Sequence, residues 1–205
     1  MHPARKFLAI AFLFIAFSGG AVFLYLATGG NRAEPVAATV LPAPRPLPSF
    51  SLVDQTGKSF TRDSLAGRES ILFFGFTHCP DICPATLQQL AIARQRVVAD
   101  GVSFPDIVLV SVDPARDTPD VMADYVGHFG AGITGVTGRA EDIGSFASAL
   151  GIFFAISGDD GENYSVDHSA AVLFINANVE WQAVFSAPHE IDDFVHDIPL
   201  LTDSR

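Results

Sequence analysis

The only two cysteines of this 205-residue chain fall within one hexapeptide, Cys79-Pro80-Asp81-Ile82-Cys83-Pro84. Four-residue spacing on a helical turn brings both sulfurs to one side, within reach of each other or of a shared ion. Pro84 is expected at the first position of a helix, which sets Cys83 near its N-terminus. There the free N–H groups and the macrodipole favour thiolate over thiol, and thiolate is both nucleophile and metal ligand. Two thiolates alone hold a soft ion such as Cu(I), and a third ligand is expected of a site that also holds Cu(II). A purely stabilising disulfide is disfavoured, because so short a loop removes little chain entropy. A redox pair, a metal site, or both remain open.

A third ligand has to come from the six histidines. His2 lies before an apolar N-terminal segment and is excluded. His128 ends an amphipathic helix and reads as a solvated or capping residue. His189 and His196, seven apart, read as a surface stripe on a terminal helix. His78 adjoins Cys79, so in an extended strand its side chain points to the opposite face. His168 is different: it stands in Tyr164-Ser165-Val166-Asp167-His168-Ser169, just before an apolar strand. In thioredoxin-like folds this loop lies against the cysteine pair and usually contains a cis-proline. Here the loop has no proline and a histidine takes its place, which favours a metal over disulfide exchange alone.

The elements that must position these residues alternate in type from Ser49 onward. Residues 50–61 read as a hairpin with Gly57 at its turn. Residues 70–77 and 106–113 are continuous apolar runs, expected of strands buried on both faces. Pro84 to Asp100 has a helical apolar period closed by Gly101. Thr118 and Pro119 read as N-cap and first residue of a helix reaching about Phe129. Another helix is expected over 141–150, an antiparallel pair over 169–177 and 179–187 around Asn178, and a helix over 188–201. The sum is an α/β sandwich with a mixed sheet.

The N-terminal quarter has another character. Phe7 to Thr28 is 22 residues without a charge, and a helix of that length spans about 33 Å, enough for a hydrocarbon core of about 30 Å. Arg5 and Lys6 precede it, so residues 1–6 are expected in the cytoplasm, 7–28 in the membrane and the rest outside. A cleaved signal peptide is the competing reading, but the apolar run exceeds a signal h-region. Residues 29–48 hold five of the thirteen prolines, at 35, 42, 44, 46 and 48, and read as an extended, semi-rigid tether for a domain over 49–205. Residues 1–48 carry a net +3 and the remainder −14. Such an acidic domain is not a nucleic-acid binder, which needs a basic surface.

Three segments, Phe74-Gly75-Phe76-Thr77-His78-Cys79-Pro80-Asp81-Ile82-Cys83-Pro84, Ser111-Val112-Asp113-Pro114-Ala115-Arg116-Asp117-Thr118-Pro119 and Val166-Asp167-His168-Ser169, resemble the signatures of the SCO/SenC copper-binding proteins. The resemblance implies a thioredoxin-like fold, with one copper held by Cys79, Cys83 and His168. It also implies service to assembly of the binuclear copper centre of cytochrome c oxidase, by copper delivery, by reduction of the acceptor cysteines, or both. Partners would be the copper-accepting oxidase subunit, another periplasmic copper chaperone and a thiol reductase. The location implied is the bacterial inner membrane, with the domain in the periplasm. Asp113 lies near the copper loop in similar proteins and assists folding or transfer, or is only a strand-end cap. One departure is residues 175–180, where relatives usually have an aspartate–proline and glycine turn. Two alternatives share the fold: a thiol–disulfide oxidoreductase or thiol peroxidase that turns over without copper, and a copper-dependent redox sensor that needs no oxidase partner.

Overall fold

The computed structural model describes residues 33–158 and 164–202, with Gly20 alone upstream. The expected membrane anchor therefore lies outside the described residues; among those described, no helix is long and apolar enough to cross a membrane. The elements run β1 (Ala38–Pro46), β2 (Ser51–Asp54), β3 (Ser59–Thr61), β4 (Ser70–Gly75), α1 (Ile82–Ala99), β5 (Asp106–Ser111), α2 (Pro119–Gly127), β6 (Ile133–Thr137), α3 (Ala140–Ala149), β7 (Phe154–Ser157), β8 (Ser165–His168), β9 (Val172–Ile175), β10 (Glu180–Phe185) and α4 (Ile191–Thr202).

Eight strands form one mixed sheet in the order β1-β10-β9-β4-β5-β6-β2-β3. At its centre β4, β5 and β6 run parallel, and burial of every residue of β4 and of all but the first of β5 explains the apolar runs of those two strands. Phe73, Leu109, Gly135, Val172 and Phe185 are linked by successive cross-strand pairings and so share one face. On that face Cys83 of α1 lies against Gly75, Met122 of α2 against Gly135, and Phe194 of α4 against Phe185. Phe74 points the other way and meets Phe146 of α3, with ring centroids 5.6 Å apart. The core thus lies between three helices on one face and α3 on the other. β7 and β8 stand apart as a two-stranded antiparallel ribbon.

Two local expectations are corrected. Residues 38–46, read as part of a free spacer, form the edge strand β1, paired antiparallel with β10. Prolines suit an edge strand, where a missing N–H leaves no ladder bond broken, and they blunt the edge against pairing with another chain. Leu47 is buried, its N–H donating to the Val179 carbonyl at 3.0 Å. Upstream, the buried carboxylate of Asp197 accepts the backbone N–H groups of Val36, Ala37 and Ala38 at 2.7–2.9 Å. The domain therefore begins near Pro35 rather than Ser49. Helix α1 also starts earlier than expected, at Ile82 with Asp81 as N-cap, so Pro84 is its third residue.

The 176–179 turn is held by Asn176. Its Oδ1 accepts the N–H groups of Asn178 and Glu180, both at 3.0 Å. Val179 takes a positive φ of 60° there, a conformation uncommon for a β-branched residue.

Candidate metal centre

Strand β4 ends at Gly75 and the chain turns through Thr77-His78-Cys79 into α1, so both cysteines sit at the carboxyl end of the central strands. The N–H of Cys83, one of the free donors in the first turn of α1, reaches Cys79 Sγ at 3.5 Å. Cys83 itself is fully buried, and its sulfur fills the space above Gly75. Burial dominates its acidity and pushes the thiol well up, the neighbouring Cys79 adding to the rise while a backbone hydrogen bond at Phe76 opposes it. The expected preference for thiolate near the helix end is therefore overridden in the free protein, because desolvation penalises the charged sulfur more than the dipole favours it.

Ribbon strand β8 brings His168 to the pair. Its Nε2 is 3.2 Å from Cys83 Sγ, although the two residues are 85 apart in sequence. Its Nδ1 donates to the Ser169 carbonyl at 3.0 Å, which leaves the Nε2 lone pair facing the sulfur. Phe73 and Phe76 present their rings edge-on to the imidazole, at centroid distances of 6.1 and 5.8 Å. Burial among them holds the imidazole below its ordinary value, opposed by the Ser169 hydrogen bond and the charge of Asp167. The ring is neutral near pH 7 and ready to coordinate. One ligand atom from each of Cys79, Cys83 and His168 lies within 4.8 Å of the others.

Two buried aspartates hold the loops around this cluster. Asp117 accepts the Thr77 N–H at 3.1 Å, the Thr77 hydroxyl at 2.6 Å and the Ser111 hydroxyl at 2.6 Å, and so fixes the chain just before Cys79. Asp113 pairs with Arg116 and accepts the Tyr164 hydroxyl at 2.5 Å. Arg116 in turn donates to the Tyr164 carbonyl at 3.1 Å and stacks 3.7 Å above its ring. Tyr164 immediately precedes β8, so this trio secures the strand that carries His168. The Tyr164 phenol is held above its ordinary value, first by the hydrogen bond it gives Asp113.

The SCO1/SenC family model matches residues 28–202. The chain belongs to the SCO1/SenC family. A SCO2-like protein of Rickettsia felis is 36% identical over 151 residues, 71% of this chain and 73% of its own length. The copper-bound structure of ScoI from Arabidopsis thaliana is similar with a TM-score of 0.69 at 35% identity, covering 72% of this chain and 92% of that one. Copper-bound yeast Sco1 gives 0.68 at 28% identity, covering 74% and 85%. The Sco-type thioredoxin-like architecture expected from the three signatures is the one found.

Of the residues singled out in the sequence, the Sco-family fold brings Cys79, Cys83 and His168 together and leaves Asp113 outside that cluster, bound to Tyr164 just before β8. His78 stays outside, exposed, with Nδ1 3.0 Å from the Thr77 hydroxyl. His128 caps the end of α2 through the Asp124 carbonyl at 2.6 Å. His189 corrects the surface-stripe reading: it precedes α4, is 8% exposed, and its Nε2 meets the Ala170 carbonyl at 2.7 Å. Sequence reasoning assigned no site role to Asp117, Arg116 and Tyr164. The signal for Asp117 and Arg116 was the pairing of two carboxylates and an arginine within Asp113–Asp117, more than a strand end needs; Tyr164 had no such local signal.

Proposed function

We propose that this Sco-family protein binds one copper ion through Cys79 Sγ, Cys83 Sγ and His168 Nε2. It delivers that copper to the copper-accepting subunit of cytochrome c oxidase during assembly of the binuclear centre. The observation that carries the reading is the approach of His168 Nε2 to Cys83 Sγ, with the other ring nitrogen committed to Ser169. Two soft sulfurs and one imidazole suit Cu(I) and tolerate Cu(II), so one site serves both states. Cys79 is the partly exposed ligand and the natural first point of exchange with an incoming thiolate. Oxidation of the pair to a disulfide would remove two ligands and couple loading to redox state.

The location belongs to the same proposal. The uncharged run 7–28, behind Arg5 and Lys6, supports an inner-membrane anchor with the N-terminus inside and the domain in the periplasm. Deleting the gene and measuring oxidase activity with and without added copper tests the whole reading. A deficit restored by copper, and by the wild-type gene but not by Cys83→Ser, is expected. Full oxidase activity in the deletion strain at limiting copper would overturn delivery and favour a copper-dependent sensor.

A further inference from the structure

Helices α1 and α2 cover the same face of the sheet, and both begin at its carboxyl end because each follows a parallel strand. Met122 of α2 lies against Gly135, and Tyr125 stands three residues on, along the same side of the helix. A long helical side chain leans back toward the N-terminus of its helix. The Tyr125 ring therefore reaches toward the sheet end where Cys83 opens α1. It is half-buried against the core and meets Phe129 edge-on, at 5.3 Å between centroids. Its hydroxyl is buried and has no hydrogen-bond partner among the described residues. Burial pushes the phenol well above its ordinary value, and the charges of Cys83, Cys79 and Asp117 add to the rise, in that order. The hydroxyl thus lies within electrostatic reach of both sulfurs without donating to either.

A buried donor left unpaired is costly, and one kept in a native fold calls for a reason. Copper loading supplies it. In the free protein the Cys83 thiol meets the lone pair of His168 Nε2 at 3.2 Å, so its S–H is the donor of that contact. Loading sends this proton to solvent and leaves a thiolate that only accepts. Asp117 already accepts three hydrogen bonds from Thr77 and Ser111, whereas the new charge on the buried sulfur needs a donor. We propose that Tyr125 is a positioning residue of the copper centre, its hydroxyl donating to Cys83 Sγ in the loaded protein. This role depends on the three-ligand copper site described above and adds a tuning group outside it. The phenol keeps its proton throughout. Hydrogen bonding around a cysteine sulfur tunes the balance between the two copper states, and here it favours Cu(I), in which the sulfur carries more negative charge.

The test compares wild type with Tyr125→Phe, which removes only the hydroxyl, as reduced full chains in detergent. Without metal, the denaturant midpoint of the variant is expected at or above that of wild type, because the hydroxyl has no partner to lose. With one Cu(II) per chain, the sulfur-to-copper band is expected at longer wavelength, since a thiolate freed of a hydrogen bond gives up its electrons more easily. Cu(I) affinity, read by competition with a chelator, is expected to fall about three- to tenfold. An unchanged band with unchanged Cu(I) affinity overturns the role. So does a lowered midpoint in the metal-free variant, which marks an ordinary structural hydroxyl. Wild type that takes up no copper sinks the three-ligand site and the role of Tyr125 with it; normal loading of wild type beside either overturning result sinks the role alone.

Discussion

A side-chain carbon placed at Gly75 would stand 2.9 Å from Cys83 Sγ, so the buried sulfur occupies space that only glycine leaves open. The same carbon would press on Phe73 at 3.2 Å and Leu109 at 3.3 Å, both in a close-packed core. Gly75→Ala should therefore cost about 1–3 kcal/mol in denaturant unfolding. It should also displace Cys83 from His168 and weaken copper binding. A variant with wild-type copper affinity would show that the sulfur has slack that the packing denies it.

Asp117 ties the approach to Cys79 onto β5 through three hydrogen bonds. Asp117→Ala leaves the half-buried Thr77 N–H and the buried Ser111 hydroxyl without their acceptor, while the Thr77 hydroxyl keeps only His78 Nδ1. We expect a loss of about 2–3 kcal/mol. Proton exchange at the Thr77 amide should also quicken, which a structural change elsewhere in the sheet would not reproduce.

What was legible in the sequence follows from how local each signal is. The runs 70–77 and 106–113 read correctly because strands buried on both faces need no partner to declare themselves, and Thr118-Pro119 read correctly because a cap is a matter of adjacent residues. Strand β1 was misread because Pro42, Pro44 and Pro46 are equally at home in polyproline geometry and on a sheet edge. Only the distant partner β10 decides between them. The acidity of Cys83 was misjudged for a related reason: its sequence neighbours specify a helix start, while burial under the sheet comes from Gly75 and His168. The residues that cluster, Cys79, Cys83 and His168, were legible together through the signatures, but the Asp113–Arg116–Tyr164 brace spans 51 residues and shows only in the fold.

Acid should release the start of the domain. Burial tends to raise the Asp197 carboxyl, but hydrogen bonds from His196 and from the N–H groups of residues 36–38 outweigh it and hold the group below its ordinary value. A carboxyl held low in the folded state adds stability above its unfolded value near pH 4, lost as the pH falls through the folded value. Denaturant midpoints measured from pH 6 to pH 2 should fall in that window for wild type. Asp197→Asn should start lower at pH 6 and lose less on acidification. Parallel curves for the two proteins would show that Asp197 does not latch β1.

The central claim is that His168 completes the site made by the two cysteines, and Cu(II) titration of the reduced full chain with His168→Ala beside it tests this most directly. Wild type is expected to bind one ion per chain with an intense sulfur-to-copper charge-transfer band. The variant should bind at least about tenfold more weakly, with that band shifted or lost. Unchanged affinity and an unchanged band in His168→Ala would contradict the account.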